Sequence, residues 1–218
     1  MTNNIKIAAI VGAGMVAKTH VAACLAAKDK VHLKGVTSRS LESAKSLSAF
    51  AQDQGHGGMT VYDDVRAIAE DDDVDFAIIV TPPNARMDIV APLVAAGKHI
   101  LLEKPIGRNA AEAHEIVSLC KDAGVTLGIV FQHRMRAASI TAKNIIASGQ
   151  LGRLGVAEMR VPWWREQSYY DEPGRGTYER DGGGVMISQA IHTIDLALSL
   201  TGPAQSIRAL AATTSFHT

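Results

Sequence analysis

The chain has 218 residues, 47% of them apolar and 20% charged, and its Lys plus Arg total equals its Asp plus Glu total. That length suits one complete domain and a smaller second one, and the balanced charge offers no basic stripe for nucleic acid or an anionic membrane surface. No apolar run approaches the roughly 20 residues of a membrane span, and residues 1–6 lack a basic-then-apolar signal pattern. Cys24 and Cys120 each sit inside an apolar helical pattern, which fits buried thiols in a reducing compartment better than a disulfide or a metal site. These features predict a cytoplasmic protein that binds no metal, nucleic acid or membrane and whose partners are small molecules and other protein chains.

In chain order, residues 5–11, 31–37, 76–80, 99–102 and 126–131 read as strands. Between them, residues 15–28, 41–54, 85–96 and 110–123 are Ala-rich and spaced for amphipathic helices, with Asn109 and Gly124 as start and stop signals. This alternation predicts an α/β fold with a parallel sheet covered on both faces. The pattern changes after Arg134. A helix to residue 146 ends at Ser148-Gly149, residues 154–162 read as a strand, and residues 163–184 form a long polar, aromatic and Gly-rich loop. A helix over 185–200 follows, stopped by Gly202-Pro203, then a strand over 205–216. The expected domains are 1–133 and 134–218. Two strands are too few for a self-sufficient sheet, so the second domain reads as partial and the chain as a fragment of a longer one.

The first strand runs into Gly12-Ala13-Gly14-Met15-Val16-Ala17, a G-x-G-x-x-A pattern that opens a helix. Gly12 permits the tight turn, Gly14 admits a pyrophosphate to the backbone, and Ala17 lets helix and strand pack closely. Free N–H groups at the helix start, around Met15 and Val16, favour phosphates. The pattern predicts a doubly wound Rossmann sheet that binds a nicotinamide dinucleotide. At the tip of the second strand stands Thr37-Ser38-Arg39-Ser40. An acid there would pair with a free ribose hydroxyl, whereas Arg39 beside Ser38 leans towards the 2′-phosphate of NADP over NAD.

Thr81-Pro82-Pro83-Asn84 follows the 76–80 strand at the carboxyl edge of the sheet, with Asn84 also placed as a helix N-cap. Glu103-Lys104-Pro105 occupies the same edge. A partly desolvated Lys104 beside a cationic nicotinamide can exchange protons with a substrate hydroxyl. Pro105 follows a residue that must be aimed, so a cis Lys104–Pro105 bond is expected. Later, Gly182-Gly183-Gly184 precedes a helix on which Ser188, His192 and Asp195 share a face, while Ile187, Ile191, Ile194 and Leu198 form an apolar stripe. The stripe is expected to pack and the polar face to reach a ligand. Arg134, Arg136, Trp164, Arg165, Tyr169 and Arg175 suit a sugar-like substrate with an anionic group.

Together, and in this order, the G-x-G-x-x-A turn, the Glu-Lys-Pro segment and the Gly-Gly-Gly helix with His and Asp resemble the Gfo/Idh/MocA oxidoreductase family over essentially the whole chain. The resemblance implies oxidation or reduction of a hydroxyl or carbonyl carbon on a sugar, inositol or nucleotide-sugar. It places proton transfer on Lys104 and His192, and implies a mainly antiparallel open sheet in the second domain that serves homo-oligomerisation. Many relatives carry Asp where this chain has Ser188. The Ser188-Gln189 pair resembles a subgroup that includes enzymes of nucleotide-linked sugars. Two other readings accompany this one: a glycosidase-like relative that recycles its cofactor, and a non-catalytic dinucleotide-binding module.

Overall fold

A computed structural model of the chain describes residues 5–212. It divides into two compact units, Met1–Val130 and Phe131–Thr218.

The first unit is built on six strands: β1 (Lys6–Val11), β2 (Val31–Thr37), β3 (Thr60–Val61), β4 (Phe76–Ile79), β5 (His99–Glu103) and β6 (Leu127–Val130). All neighbours pair in parallel, in the order β3-β2-β1-β4-β5-β6. The chain winds outward from β1 to β3, then crosses back and winds the other way from β4 to β6. The crevice at that reversal, beyond the carboxyl ends of β1 and β4, is where open α/β sheets take their ligands. Connecting the strands are α1 (Ala17–Ala26), α2 (Leu41–Asp53), α3 (Val65–Ala69), α4 (Arg86–Ala95) and α5 (Ala110–Asp122). The five predicted strands and four predicted helices of this half all form, with ends shifted by up to two residues. β3 and α3 are additions that the sequence reading did not contain.

Both faces of the sheet are covered, so β1 is apolar from Ile7 to Val11 rather than alternating. Ala9 and Val11 join Ile79, Leu102, Val90, Leu93 and Ile116 in one cluster. Ala8 and Ile10 point the other way, onto Val21 of α1 and Leu47 and Ala51 of α2. Cys24 and Cys120 lie buried in these clusters, as expected, and burial pushes both thiols above their ordinary range. Asn109 caps α5 by accepting from Glu112 N at 3.0 Å, and Gly124 takes the left-handed conformation that stops it.

The outer strands meet at one glycine. A Cβ on Gly35 would lie 2.3 Å from Tyr62 Cε2 and 2.6 Å from the Thr60 carbonyl oxygen. Tyr62 cannot swing away freely, because its hydroxyl donates to Asp71 at 2.6 Å and Asp71 also holds Lys34. Gly35→Ala is therefore expected to destabilise the protein by about 1–3 kcal/mol through overpacking, read as a lower Tm. An unchanged melting curve would show that the Tyr62 ring is not held there.

In the second unit a 3-10 turn (Gln132–Met135) leads into α6 (Ala137–Ala147), followed by α7 (Gln167–Tyr170), α8 (Tyr178–Asp181), α9 (Val185–Ser188) and α10 (Ile191–Thr201). Three expectations are corrected here. Residues 154–162 and the described part of 205–216 form no strand, since a β-rich segment becomes one only with a ladder partner; residues 213–216 lie outside the described residues. No antiparallel sheet forms among the described residues of this unit. The long loop folds locally into α7 and α8, and the helix expected over 185–200 breaks at Gln189-Ala190. Gly202 ends α10 at φ +87°, where the sequence placed the stop. No helix among the described residues is long and apolar enough to cross a membrane.

Candidate functional site

The turn after β1 has the form its glycines require. Gly12 sits at φ +104°, and a Cβ there would lie 3.1 Å from Val80 Cγ2 and 3.2 Å from Thr81 Cγ2, so the backbone passes directly against the end of β4. Gly12 N donates to the Thr37 carbonyl at 2.8 Å, tying the turn to β2. Around Gly14 no heavy atom comes within 4 Å of the Cβ position, leaving that peptide open to a ligand. Ala17 is fully buried, as close helix packing demands, whereas Met15 and Val16 are exposed. No side chain caps the start of α1. Beside it lies a cleft of about 560 Å3 lined by Ala13, Gly14, Met15, Lys18, Glu42 and Ser43, among others. Open peptide, uncapped helix start and adjoining cleft fit the diphosphate and adenosine end of a dinucleotide. Ser38 is half-buried at the β2 tip and Arg39 is exposed, while Ser40 caps α2 by accepting from Ser43 N at 3.2 Å.

At the ends of β4 and β5 the structure adds two residues that the sequence reading missed. Arg86, the first residue of α4, is 1% exposed and donates from Nη2 to the carbonyls of Thr81 and Lys104, both at 3.3 Å. It thus joins the two strand tips. The signal available was a lone cation opening an apolar helix. His20 on α1 contacts Glu103 with Nε2 and Oε1 2.9 Å apart, both side chains nearly buried. The other Glu103 oxygen accepts from Lys104 N at 3.2 Å. Lys104 is therefore fixed through both main-chain polar atoms, and the Lys104–Pro105 peptide is cis, as expected. Thr81 Oγ1 is buried with no hydrogen-bond partner among the described residues, a polar vacancy beside Gly12 suited to a bound cofactor. Pro82 is extended. Asn84 is not the N-cap of α4, which is Ala85 without a side-chain cap. It lies in a 3-10 turn, Pro83–Ala85, lining a separate cleft of about 200 Å3 with Arg108 and Glu112.

In the second unit the expected division of labour on α10 is inverted. The residues it buries are His192 and Asp195, while Ile191 and Ile194 are half-buried and Leu198 is 41% exposed. The cause is the 3-10 turn over 132–135. Arg134 donates from Nε and Nη2 to the two Asp195 oxygens, each at 2.5 Å, a bidentate pair that holds the turn onto this face. His133, buried beside it, lies 4.9 Å from the His192 ring and edge-on to Trp163 at 6.0 Å. Burial first, then the charge of Arg136, pushes the His133 pKa down against the pull of Asp195, so His133 is neutral at neutral pH. The predicted substrate residues Arg134 and Asp195 thus meet each other. Ser188 lies on α9 beyond the break and donates to the Gly184 carbonyl at 2.9 Å. Gln189 is buried, its Nε2 without a partner among the described residues. Trp164 is exposed and donates to Glu166 at 3.1 Å, while Tyr169 lies between Arg165 and Arg175. Gly183, at φ +126°, is approached closely by the Tyr178 ring of its own loop. No cluster of three or more metal-ligating side chains occurs among the described residues.

This parallel sheet and glycine turn define a Rossmann domain of the dinucleotide-binding class. Residues 6–131 match the oxidoreductase family with an NAD-binding Rossmann fold, and residues 139–218 match the Gfo/Idh/MocA C-terminal domain, so the chain belongs to the Gfo/Idh/MocA family. Uncharacterized oxidoreductase C115.03 of Schizosaccharomyces pombe is 30% identical over 173 residues, 78% of this chain and 45% of that protein. D-glucoside 3-dehydrogenase of Escherichia coli is 26% identical over 205 residues, 93% of this chain and 56% of that one. The crystal structure of the WlbA dehydrogenase from Bordetella pertussis, in complex with NADH and UDP-GlcNAcA, superimposes with a TM-score of 0.83 at 27% identity, covering 92% of this chain and 59% of that one. The chain spans about half the length of the curated relatives it matches.

Proposed function

We propose that this chain contributes the cofactor domain and part of the substrate domain of a dehydrogenase or reductase that acts on a hydroxyl or carbonyl carbon of a sugar-like substrate. The observation that carries the reading is the open Gly14 peptide at the uncapped start of α1, at the switch point of a parallel sheet. The D-glucoside and nucleotide-sugar relatives support the substrate class.

Residues 12–16 would hold the diphosphate, Ser38 and Arg39 the adenosine ribose, and Thr81, Pro82, Glu103 and Lys104 the nicotinamide end, whereas Asn84 lines the separate cleft with Arg108 and Glu112 and is not assigned to it. A nicotinamide held there would supply the hydride chemistry. The chain's own part is the proton, which we assign to the Lys104 ammonium and the His192 imidazole. Arg86 and Glu103 hold the Lys104 main chain, and His133 packs against the His192 ring. Ser188, Gln189, Trp164, Arg165 and Tyr169 would line the sugar, with Arg134 and Asp195 bracing them as an ion pair. The buried free thiols support a reducing, cytoplasmic location, and a homo-oligomer is what the family resemblance implies.

The test is a screen for cofactor reduction against hexoses, inositols and nucleotide-sugars, followed by nicotinamide absorbance. Reduction with at least one of them is expected. Cofactor binding without turnover on the whole panel would instead favour a non-catalytic module.

We further propose NADP as the preferred cofactor, because Arg39 is exposed at the β2 tip and makes no ion pair among the described residues. Binding should favour NADP by about tenfold, and Arg39→Asp should reverse the order. Equal affinities in both proteins, measured by cofactor fluorescence, would remove the assignment.

A further inference from the structure

The guanidinium groups of the second unit differ in one respect. Around the 163–184 loop, Arg160 pairs with Glu158 at 2.7 Å, Arg175 pairs with Glu172, and Arg180 lies 2.5 Å from Glu172 and 3.7 Å from Asp181. Arg134 holds Asp195. Arg165, like Arg136, Arg153 and Arg208, has no carboxylate partner among the described residues, but of these four it is the one that stacks on aromatic rings, and its polar contact is the Trp164 carbonyl at 3.1 Å. Glu166, the acid next to it in sequence, is drawn instead to the Trp164 indole N–H.

Arg165 is nevertheless held. Its guanidinium carbon lies 5.9 Å from the centre of the Trp163 ring and 5.6 Å from that of Tyr169, and Arg175 packs 4.4 Å from the same Tyr169 ring. Guanidinium is weakly hydrated, stacks on aromatic faces and presents a planar fork that fits carboxylate or phosphate in two parallel hydrogen bonds. With one donor spent on a carbonyl, most of that fork is uncommitted. The Trp163 ring that orients it is also edge-on to His133, which lies against His192. The cation and His192 therefore belong to one continuous cluster of rings.

We propose that Arg165 selects an anionic sugar, taking a carboxylate or phosphate group of the substrate while the neighbouring rings carry the sugar face. This rests on the sugar-dehydrogenase reading above, and deepens it by naming the substrate class.

The chain's two tryptophans are Trp163 and Trp164, so intrinsic fluorescence reports on this cluster directly. Glucuronate, glucose 6-phosphate and glucose are titrated against the whole chain. A saturable change is expected with an anionic sugar at concentrations where glucose gives none, and the tighter of the two acids tells carboxylate from phosphate. Arg165→Gln should weaken that binding by about 10- to 100-fold and Arg165→Lys by less, since lysine keeps the charge but loses the fork. Circular dichroism confirms that both variants fold. A response to glucose equal to that of the acids, no response to either acid, or undiminished binding in Arg165→Gln would overturn the proposal. Cofactor reduction is followed on the same three sugars. Anion-selective binding with no cofactor reduction on any sugar would sink the dehydrogenase reading and leave Arg165 standing. Reduction that ignores the acid group would do the reverse.

Discussion

Lys104→Met is expected to lower turnover by about 10²–10⁴-fold while leaving cofactor affinity nearly unchanged. The lysine stands at the carboxyl end of β5, where its backbone is clamped from both sides, so the substitution removes an ammonium without releasing the loop. The diphosphate would be held elsewhere, by the peptides of residues 12–16, which explains why binding should survive. His192→Ala should act similarly, because it removes the other proposed proton carrier. Steady-state kinetics and a cofactor titration on each variant give both quantities. Turnover within a few-fold of the parent would withdraw the proton-transfer assignment and leave the Rossmann assignment intact.

Arg86→Met should cost about 100-fold in turnover, although Arg86 is buried and proposed to touch no substrate. The reasoning is positional. Its Nη2 donates to the carbonyls of both Thr81 and Lys104, and methionine leaves both acceptors without that donor. Freed from the clamp, the strand tip can relax by a fraction of an ångström to about 1 Å, enough to cost about 100-fold where a reacting group must be aligned. Stability should fall as well, by about 1–3 kcal/mol in all, because two part-buried acceptors lose a charged donor. Kinetics measured well below the variant's Tm separate the two effects. Arg86→Lys, which restores a donor, should recover part of the turnover, whereas loss of Tm with full turnover would reduce Arg86 to a packing role.

What the sequence revealed was what short segments demand by themselves. A tight turn against a neighbouring strand requires Gly12, and close helix packing requires Ala17; both demands are met where the pattern placed them. β3 was not legible because two residues carry no period, and its existence depends on pairing with β2. Long-range partners were hidden for the same kind of reason. His20 meets Glu103 across 83 positions and Arg134 meets Asp195 across 61, and neither pairing leaves a local trace. That second pair also explains the inverted face of α10. Counted by hydrophobicity alone, Ile191 and Ile194 should be the buried positions, but a bidentate ion pair fixed which side the turn docks on. The segments over 154–162 and 205–212 have the composition of strands without the neighbours that would make them so.

Glu103 is shared between two parts of the molecule. One oxygen holds His20, carried on the helix whose start faces the open Gly14 peptide, and the other holds the amide of Lys104. Through that shared carboxylate, a cofactor bound at the head of α1 would be coupled to the placement of the lysine. Whatever free energy a bound diphosphate contributed to one placement of the lysine would reappear, with equal size, as a preference of that placement for the cofactor. Loosening the tether with Glu103→Gln would uncouple the two, and a change in lysine reactivity on cofactor binding would shrink to the extent that the carboxylate transmits it.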